Sequence, residues 1–463
     1  MTKIYQTKEQ VLEKAETILY KSLRGVISAE AIGIIEAQIG EYGMKRKGFL
    51  GDLIEKYFFD INPGNISESD FKIAEVELKT TPLKKHSNNK LISKERLVFS
   101  MINYDTVVNE TWKLSSFLKK NKSLLLMFYL WIENKSILDY EFKFVHLLNL
   151  LEDISNEDVF QIQKDWEYIV SKIKRGEAHL LSEGDTYYLG ACTKAANSRV
   201  VRDQPMNRAP AKPRAFSFKQ QYINYLIKTK LLGEKTNTDS IFKKQRRIET
   251  IEDLIKEKFS AFIGKTDKEI LKKLCSNLGT KAKSYKRLIV NRILDVNSNN
   301  IEELEKANIT LKVITLEPSG TLRESMSFPA FDYKDLVTQI WNDDEEESMA
   351  DFHLQLETKK FLFVVFQKQK GSSHIILKKT MFWNFSMKDI FEAESVWQKT
   401  VDCINDGRYD ELPKIKDSNV AHVRPHGKDS TDTIETPQKT LEMKRCFWLN
   451  AKYIQHAIEK DQA

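Results

Sequence analysis

The chain has 463 residues, 41% of them apolar and 10% aromatic, and a formal net charge of +7. That composition excludes a disordered or low-complexity protein and allows two or three domains with sizeable cores, while the mild positive excess permits a polyanionic partner without demanding one. No run approaches the ~20 apolar residues of a membrane-spanning helix, and four scattered cysteines without a CxxC or Cys/His cluster argue against zinc and for reduced thiols.

The opening segment, MTKIYQTKEQVLEKAETILY, is charged and helix-forming and has no apolar signal region, so the chain is expected to be soluble and cytoplasmic. Residues 8–60 read as helices. In KGFLGDLIEKYFFD, residues Phe49, Leu50, Leu53, Ile54 and Tyr57 recur at helical spacing. Strands follow in EVELKTTPL, ERLVFSMINY and KSLLLMFYLW, each short, rich in β-branched or aromatic residues and bounded by polar loops. Helix returns over 157–180. GEKTNTDS (233–240) is polar and turn-rich and reads as a linker. A helical pattern then covers 248–275, and strand patterns resume from 309.

The chain repeats itself. RAFSFKQQYINYLI (214–227) matches KRCFWLNAKYIQHAI (444–458), with Phe216 and Tyr222 against Phe447 and Tyr453 at an offset of 231. VFSMINYD (98–105) matches MSFPAFDY (326–333) at an offset of 229, and AEVELKTT (74–81) matches ANITLKVI (307–314) at 233. Three similarities in one order, at nearly half the chain length, indicate two copies of one α/β fold. The expected domains are 1–232 and 241–463, joined by 233–240.

Chemistry concentrates in DFKIAEVELKTTPL (70–83). Side chains alternate along a strand, so Glu77 and Lys79 share one face while Val76 and Leu78 take the core face. Asp70 can fold over from upstream, and Glu55 on the preceding helix can add a third carboxylate. Hard carboxylate oxygens suit Mg²⁺, which shares its shell with phosphate, and a neighbouring lysine can orient water and offset charge on the reacting phosphate. The plain alternative is a solvated ionic strand face, because D…ExK spacing is common by chance. Lys119, before the next strand, suits either a phosphate contact or solubility. In the second copy Lys312 matches Lys79, but Thr310 stands in place of Glu77 and Glu303 in place of Asp70, so the halves need not do the same job.

Two basic segments suit a nucleic-acid groove or an ordinary solvated surface. KAANSRVVRDQPMNRAPAKPR (194–214) carries Lys194, Arg199, Arg202, Arg208, Lys212 and Arg214 against Asp203 alone; KKHSNNKLISKER (84–96) begins with Lys84 and Lys85. Both read as loops. In HVRPH (422–426), His422 and His426 have the spacing of helical metal ligands, but Pro425 breaks that helix, which leaves a DNA-contact loop or plain surface around Arg424 and His426.

KGFLGDLIE, DFKIAEVELKTTP, the lysine-rich strand entry at 119–125, TKAAN (193–197) and RAFSFKQQYINYLI resemble, in order and spacing, the MutH mismatch-repair endonuclease. With its second copy, and with SKERLVFSMINY, ESMSF and HVRPH, the whole chain resembles restriction endonucleases of the Sau-three-A type. The resemblance implies a mixed α/β fold with two tandem restriction-endonuclease-like (MutH-like) domains, each a central mixed sheet flanked by helices. It implies a Mg²⁺-dependent type II endonuclease cutting double-stranded DNA at GATC, with a catalytic first half and a second half that binds another DNA copy as effector. Carried onto this sequence, Asp70, Glu77 and Glu55 become metal ligands, Lys79 the catalytic lysine and Lys119 a second lysine, with the run Lys119-Lys120-Asn121-Lys122 leaving the register open by one residue. Lys194 becomes the lysine of a base-approaching segment, although Cys192 and Thr193 replace the family's arginine and proline. A DNA methyltransferase is the implied functional counterpart, and the chain is expected to be a monomer in solution, with dimerisation on DNA left open. The competing readings are a mismatch-repair nickase, which resembles one copy rather than two, and a non-catalytic DNA-binding regulator.

Overall fold

The computed structural model describes residues 3–42, 48–64, 68–86, 89–194, 200–235, 237–242, 248–276, 278, 282, 284–341 and 349–460. In chain order the first half contains α1 (Lys8–Glu16), α2 (Ala29–Tyr42), α3 (Phe49–Leu53), β1 (Glu77–Lys85), β2 (Leu91–Ser93), β3 (Leu97–Met101), α4 (Tyr104–Val107), α5 (Ser116–Asn121), β4 (Ser123–Leu130), β5 (Glu141–Asn149), α6 (Asn156–Lys174), β6 (Leu189–Thr193), β7 (Arg202–Gln204), β8 (Asn207–Ala211), β9 (Arg214–Phe218) and α7 (Gln220–Leu226). The second half contains α8 (Ile251–Ser260), α9 (Asp267–Lys273), α10 (Tyr285–Leu294), α11 (Glu302–Lys306), β10 (Ile309–Leu316), β11 (Met326–Ala330), α12 (Tyr333–Leu336), α13 (Asp351–Thr358), β12 (Lys360–Lys368), β13 (Ile375–Trp383), α14 (Met387–Asn405), β14 (Ala421–Pro425), β15 (Thr433–Glu435), β16 (Leu441–Met443), β17 (Arg445–Leu449) and α15 (Ala451–Lys460). The fold is mixed α/β, with sheets flanked by helices.

Two compact units form. One comprises 1–175 with 215–236, the other 176–214 with 237–463. The last of the three boundaries, between 236 and 237, lies within the turn-rich stretch 233–240 read as a linker, but the excursion of 176–214 was not legible in the repeat. Buried polar contacts tie that segment to the rest of the second unit. The Lys360 ammonium donates to the Asp185 carbonyl (2.8 Å), the Ser182 hydroxyl to the Glu357 carbonyl (3.3 Å) and the Tyr187 hydroxyl to Glu252 (2.8 Å).

In the first unit the sheet order is β2-β1-β4-β5, with β1 parallel to β4 and β4 antiparallel to β5. β4, SLLLMFYL, is covered on both faces, as an apolar run in a central strand should be. Val76, Leu78, Leu125 and Met127 enter a core with Val11, Ile35, Leu53, Phe59 and Phe142. The 19-residue α6 starts at Ser155, whose hydroxyl accepts from the Asp158 N–H, with Glu157 and Asp158 favourably placed in the first turn.

The second unit repeats this plan. β10 runs parallel to β12, and β12 antiparallel to β13, over a core that includes Phe361, Phe363, Val365 and Trp397. Glu77 faces Leu124, the second residue of β4; Thr310 faces Phe361, the second residue of β12. The smaller sheets repeat too. β3 meets β9 through Leu97–Phe218, Val98–Ser217 and Met101–Ala215. β11 meets β17 through Met326–Leu449, Ser327–Trp448 and Ala330–Cys446, with the register shift at the same place. These pairs stand at the offsets of 229 and 231 found in the sequence.

Candidate active site

Asp70 reaches β1 through a tight reversal. Phe71 and Val76 exchange backbone hydrogen bonds across a four-residue turn, in which Glu75 takes a left-handed φ of 53°. The Leu78 N–H then donates to Asp70 Oδ2 at 2.8 Å, pinning the carboxylate beside the strand. Glu55, close enough to feel the charges of Asp70 and Glu77, stands in a single π-helical turn (Ile54–Phe58) that continues α3. Such turns insert an extra residue and re-aim side chains, often at functional sites.

Glu77 is 2% exposed. That removes the solvated-face reading, because a carboxylate so deep needs charged partners. Its Oε1 receives the Lys79 ammonium at 2.8 Å and lies 3.5 Å from that of Lys120. Its Oε2 is buried with no hydrogen-bond partner. Lys79 also approaches the Phe99 carbonyl at 3.5 Å.

Asp70 and Glu55 both resist ionisation. Asp70 is pushed up to about 7, first by burial and then by the charge of Glu77, with Lys79 and Lys120 pulling the other way. Glu55 is pushed up to about 8 by burial and then by Asp70, Asp52 and Glu77. Two carboxyls raised by burial and by neighbouring carboxylate charge are a donor set that a hard divalent cation would relieve. Among the described residues no three His, Cys, Asp or Glu groups close around one metal position. The fit therefore rests on the hard oxygen donors and the orphaned Glu77 Oε2.

Of the lysine run, the structure brings Lys120 rather than Lys119 to the cluster. Ser115 caps α5, its hydroxyl accepting from the Leu118 N–H at 3.1 Å, and that start fixes the helical phase. Lys120 then lies with its side chain 15% exposed against Glu77, while Lys119 is exposed.

The DNA-contact candidates divide. Lys84, Lys85, Lys194, Arg202, Arg424 and His426 are exposed. Arg199 lies outside the described residues. Arg214 is corrected: it is 2% exposed, donates to the Ala191 carbonyl at 2.6 Å and lies 3.8 Å from Glu357, so its guanidinium holds the interior and is not presented to a ligand. The stretches read as loops are partly strands, β7 and β8 within 194–214 and β14 across HVRP. His422 is buried and bonded to Asn450 at 2.5 Å, whereas Arg424 packs 5.0 Å over the Trp448 ring, with His426 at its edge. Trp448, half-buried beneath them, is the aromatic that charge-based reading missed; strand alternation opposite His422 was the available signal.

None of the four cysteines is disulfide-bonded. Among the described residues no helix is long and apolar enough to cross a membrane.

Residues 59–165 match the family described as DNA mismatch repair enzyme MutH, a span that includes Asp70, Glu77, Lys79 and Lys120. Over nearly its whole length the chain is similar to the type II restriction enzyme Sau3AI of Staphylococcus aureus, with 31% identity over 502 residues covering 98% of this chain and 99% of that protein.

Proposed function

Because the chain belongs to the family of that type II restriction enzyme and is a site-specific deoxyribonuclease with a MutH nuclease domain in its first half, we propose that it hydrolyses double-stranded DNA at GATC with Mg²⁺. The observation that carries this is the buried Asp70–Glu77–Lys79–Lys120 cluster with one Glu77 oxygen left unfilled.

Asp70 and Glu77 would hold Mg²⁺, with Glu55 as the neighbouring third carboxylate, and the ion when bound would neutralise the phosphate and acidify water. Lys79, fixed by its 2.8 Å contact with Glu77, orients the incoming water toward phosphorus and offsets charge in the transition state. Lys120 adds a second cation on the same carboxylate. The bond from water oxygen to phosphorus forms as the bond to the leaving sugar oxygen breaks. The apolar wall behind β1, including Val76 and Leu78, keeps this face rigid. Lys84 and Lys85, at the end of the strand that carries Glu77 and Lys79, contact the DNA around the cut, and Lys194 and Arg202, which belong to the second unit, contact DNA phosphates.

The second half, with Arg424 and His426 exposed beside Trp448, binds another DNA copy and biases the first half toward cutting. By reciprocity, cleavage-site DNA then tightens effector binding. A methyltransferase protecting the same sequence would be the cellular counterpart.

The test is digestion of plasmid DNA with and without Mg²⁺, with fragment ends mapped. Discrete Mg²⁺-dependent double-strand cuts at GATC are expected. Nicked circles alone would favour a mismatch-repair activity, and cuts elsewhere would remove the GATC assignment.

A further inference from the structure

The β7–β8 hairpin in the 176–214 segment has an unusual tip. β7 and β8 pair through Arg202–Ala211 and Gln204–Asn207, leaving Pro205 and Met206 as the turn. Proline fixes φ near −65° at the first position. Met206 takes φ 63° at the second, the combination of a type II turn, where glycine or asparagine is usual. A methionine there works against the backbone preference, and the residue is 87% exposed.

The hairpin beneath it is rigid. Gln204, 6% exposed, donates to the Ala209 carbonyl (2.5 Å), meets His179 Nδ1 (3.0 Å) and accepts from the Ala178 N–H (2.8 Å). Asn207 donates to the Gly176 carbonyl at 2.9 Å. Gly176 has φ +71°, and a Cβ there would stand 2.8 Å from Asn207 Cβ, so the glycine is what lets the turn seat this closely. Around the tip, Arg202 and Arg208 are exposed, with Asp203 the lone acid between Lys194 and Arg214.

A braced, cationic hairpin with an unsheltered apolar tip has the chemistry of a DNA-deforming probe. Its arginines attract phosphates, and its apolar end has no favourable place in water but fits between base pairs. We propose that Met206 is a wedge inserted into a base step of duplex DNA, unstacking it while Arg202 and Arg208 hold the flanking phosphates. The proposal rests on the reading of the chain as a DNA endonuclease. It adds a local distortion of the duplex that neither cleavage chemistry nor charge requires.

The experiment uses the full chain carrying Glu77→Ala, so that duplex is bound without being cut. 2-Aminopurine is walked through a duplex containing the mapped cleavage site. Unstacking at one step should raise its fluorescence about threefold or more over free duplex. Adding Met206→Gly should abolish that rise with affinity retained within about tenfold, and its thermal midpoint should be equal or higher, because glycine suits the left-handed φ. Met206→Leu should keep the signal. Arg208→Ala should weaken binding and lower the salt slope by about one, leaving the unstacking in the saturated complex. Equal fluorescence with and without Met206→Gly, or no rise at any step in a saturated complex, overturns the wedge and leaves the endonuclease reading intact. Failure of the full chain to bind any duplex removes that reading, and the wedge with it.

Discussion

The two parallel strand pairs, β1–β4 and β10–β12, share a register and differ in chemistry. Glu77 and Thr310 occupy one position, and Lys79 and Lys312 another. Counting back from β4 and β12, Lys120 corresponds to Glu357, a reversal of charge. In the first unit two ammonium groups meet Glu77. In the second, Glu357 lies 3.8 Å from Arg214 and 4.0 Å from His353 inside the fold. Glu303, the counterpart of Asp70, accepts from the Ser240 hydroxyl (2.5 Å) and the Ile241 N–H (3.1 Å), anchoring the chain just after the boundary between the units. Burial pushes its carboxyl up and the Lys312 ammonium down. The backbone plan is thus kept while Glu303 and Glu357 make structural contacts in place of the Asp70 and Lys120 contacts of the first unit.

The largest expected effect separates Lys79 from Lys312. Lys79→Ala should lower cleavage by roughly 10²–10³-fold with DNA binding retained, as loss of a transition-state contact does. Lys312→Ala should leave the cleavage rate of a saturated complex within about threefold, since no reacting phosphate lies beside it. Single-turnover kinetics read both.

Arg214 offers a break of another kind. Arg214→Met leaves Glu357 buried without this partner and should cost about 3 kcal/mol in chemical denaturation. The salt dependence of DNA binding should not move. A fall in the salt slope would return Arg214 to the DNA-contact surface.

Lys120 and Lys119 come next. Lys120→Ala should slow cutting by roughly 10–100-fold, whereas Lys119→Ala should stay within about threefold. The reverse order would show that the helical phase of α5 is wrong.

Acidity gives a smaller signature. Asp70 and Glu55 rise from 3.8 and 4.5 to about 7 and about 8 in the metal-free fold. The folded chain therefore holds protons that the unfolded chain has released, and these groups make stability fall as pH rises from about 4 to about 8. Asp70→Asn should raise the metal-free unfolding free energy at pH 8 and not at pH 4, by on the order of 1–2 kcal/mol. Mg²⁺ should stabilise the natural protein more at pH 8 than at pH 6.

The smallest expected effect is none. Thr310→Glu placed in the Glu77→Ala chain should recover no cleavage, because Glu303 is committed to Ser240 and Ile241 and Glu357 stands where a lysine is needed. Any sequence-specific cut by that double variant would refute the account of the second site.

The sequence made β1 and its register legible because alternation and core patterning act locally: Val76 and Leu78 had to face inward, which put Glu77 and Lys79 together. The repeat was legible for the same reason, and the paired strands keep its offsets. What stayed hidden depends on distant partners or on helical phase. The burial of Arg214 is set by Glu357 far along the chain, and a charge in a basic run reads as surface. Lys120 was indistinguishable from Lys119 until the Ser115 cap fixed a six-residue helix. The π-turn that aims Glu55 and the packing of 176–214 with the second unit have no periodic signature.

The most direct test compares Glu77→Ala with Thr310→Ala in the full chain, measuring Mg²⁺-dependent plasmid cleavage and duplex binding on the same preparations. Cleavage abolished in Glu77→Ala with binding intact, and retained in Thr310→Ala, is the predicted result. Cleavage surviving Glu77→Ala, or lost in Thr310→Ala without loss of binding, would contradict a single active centre in the first half.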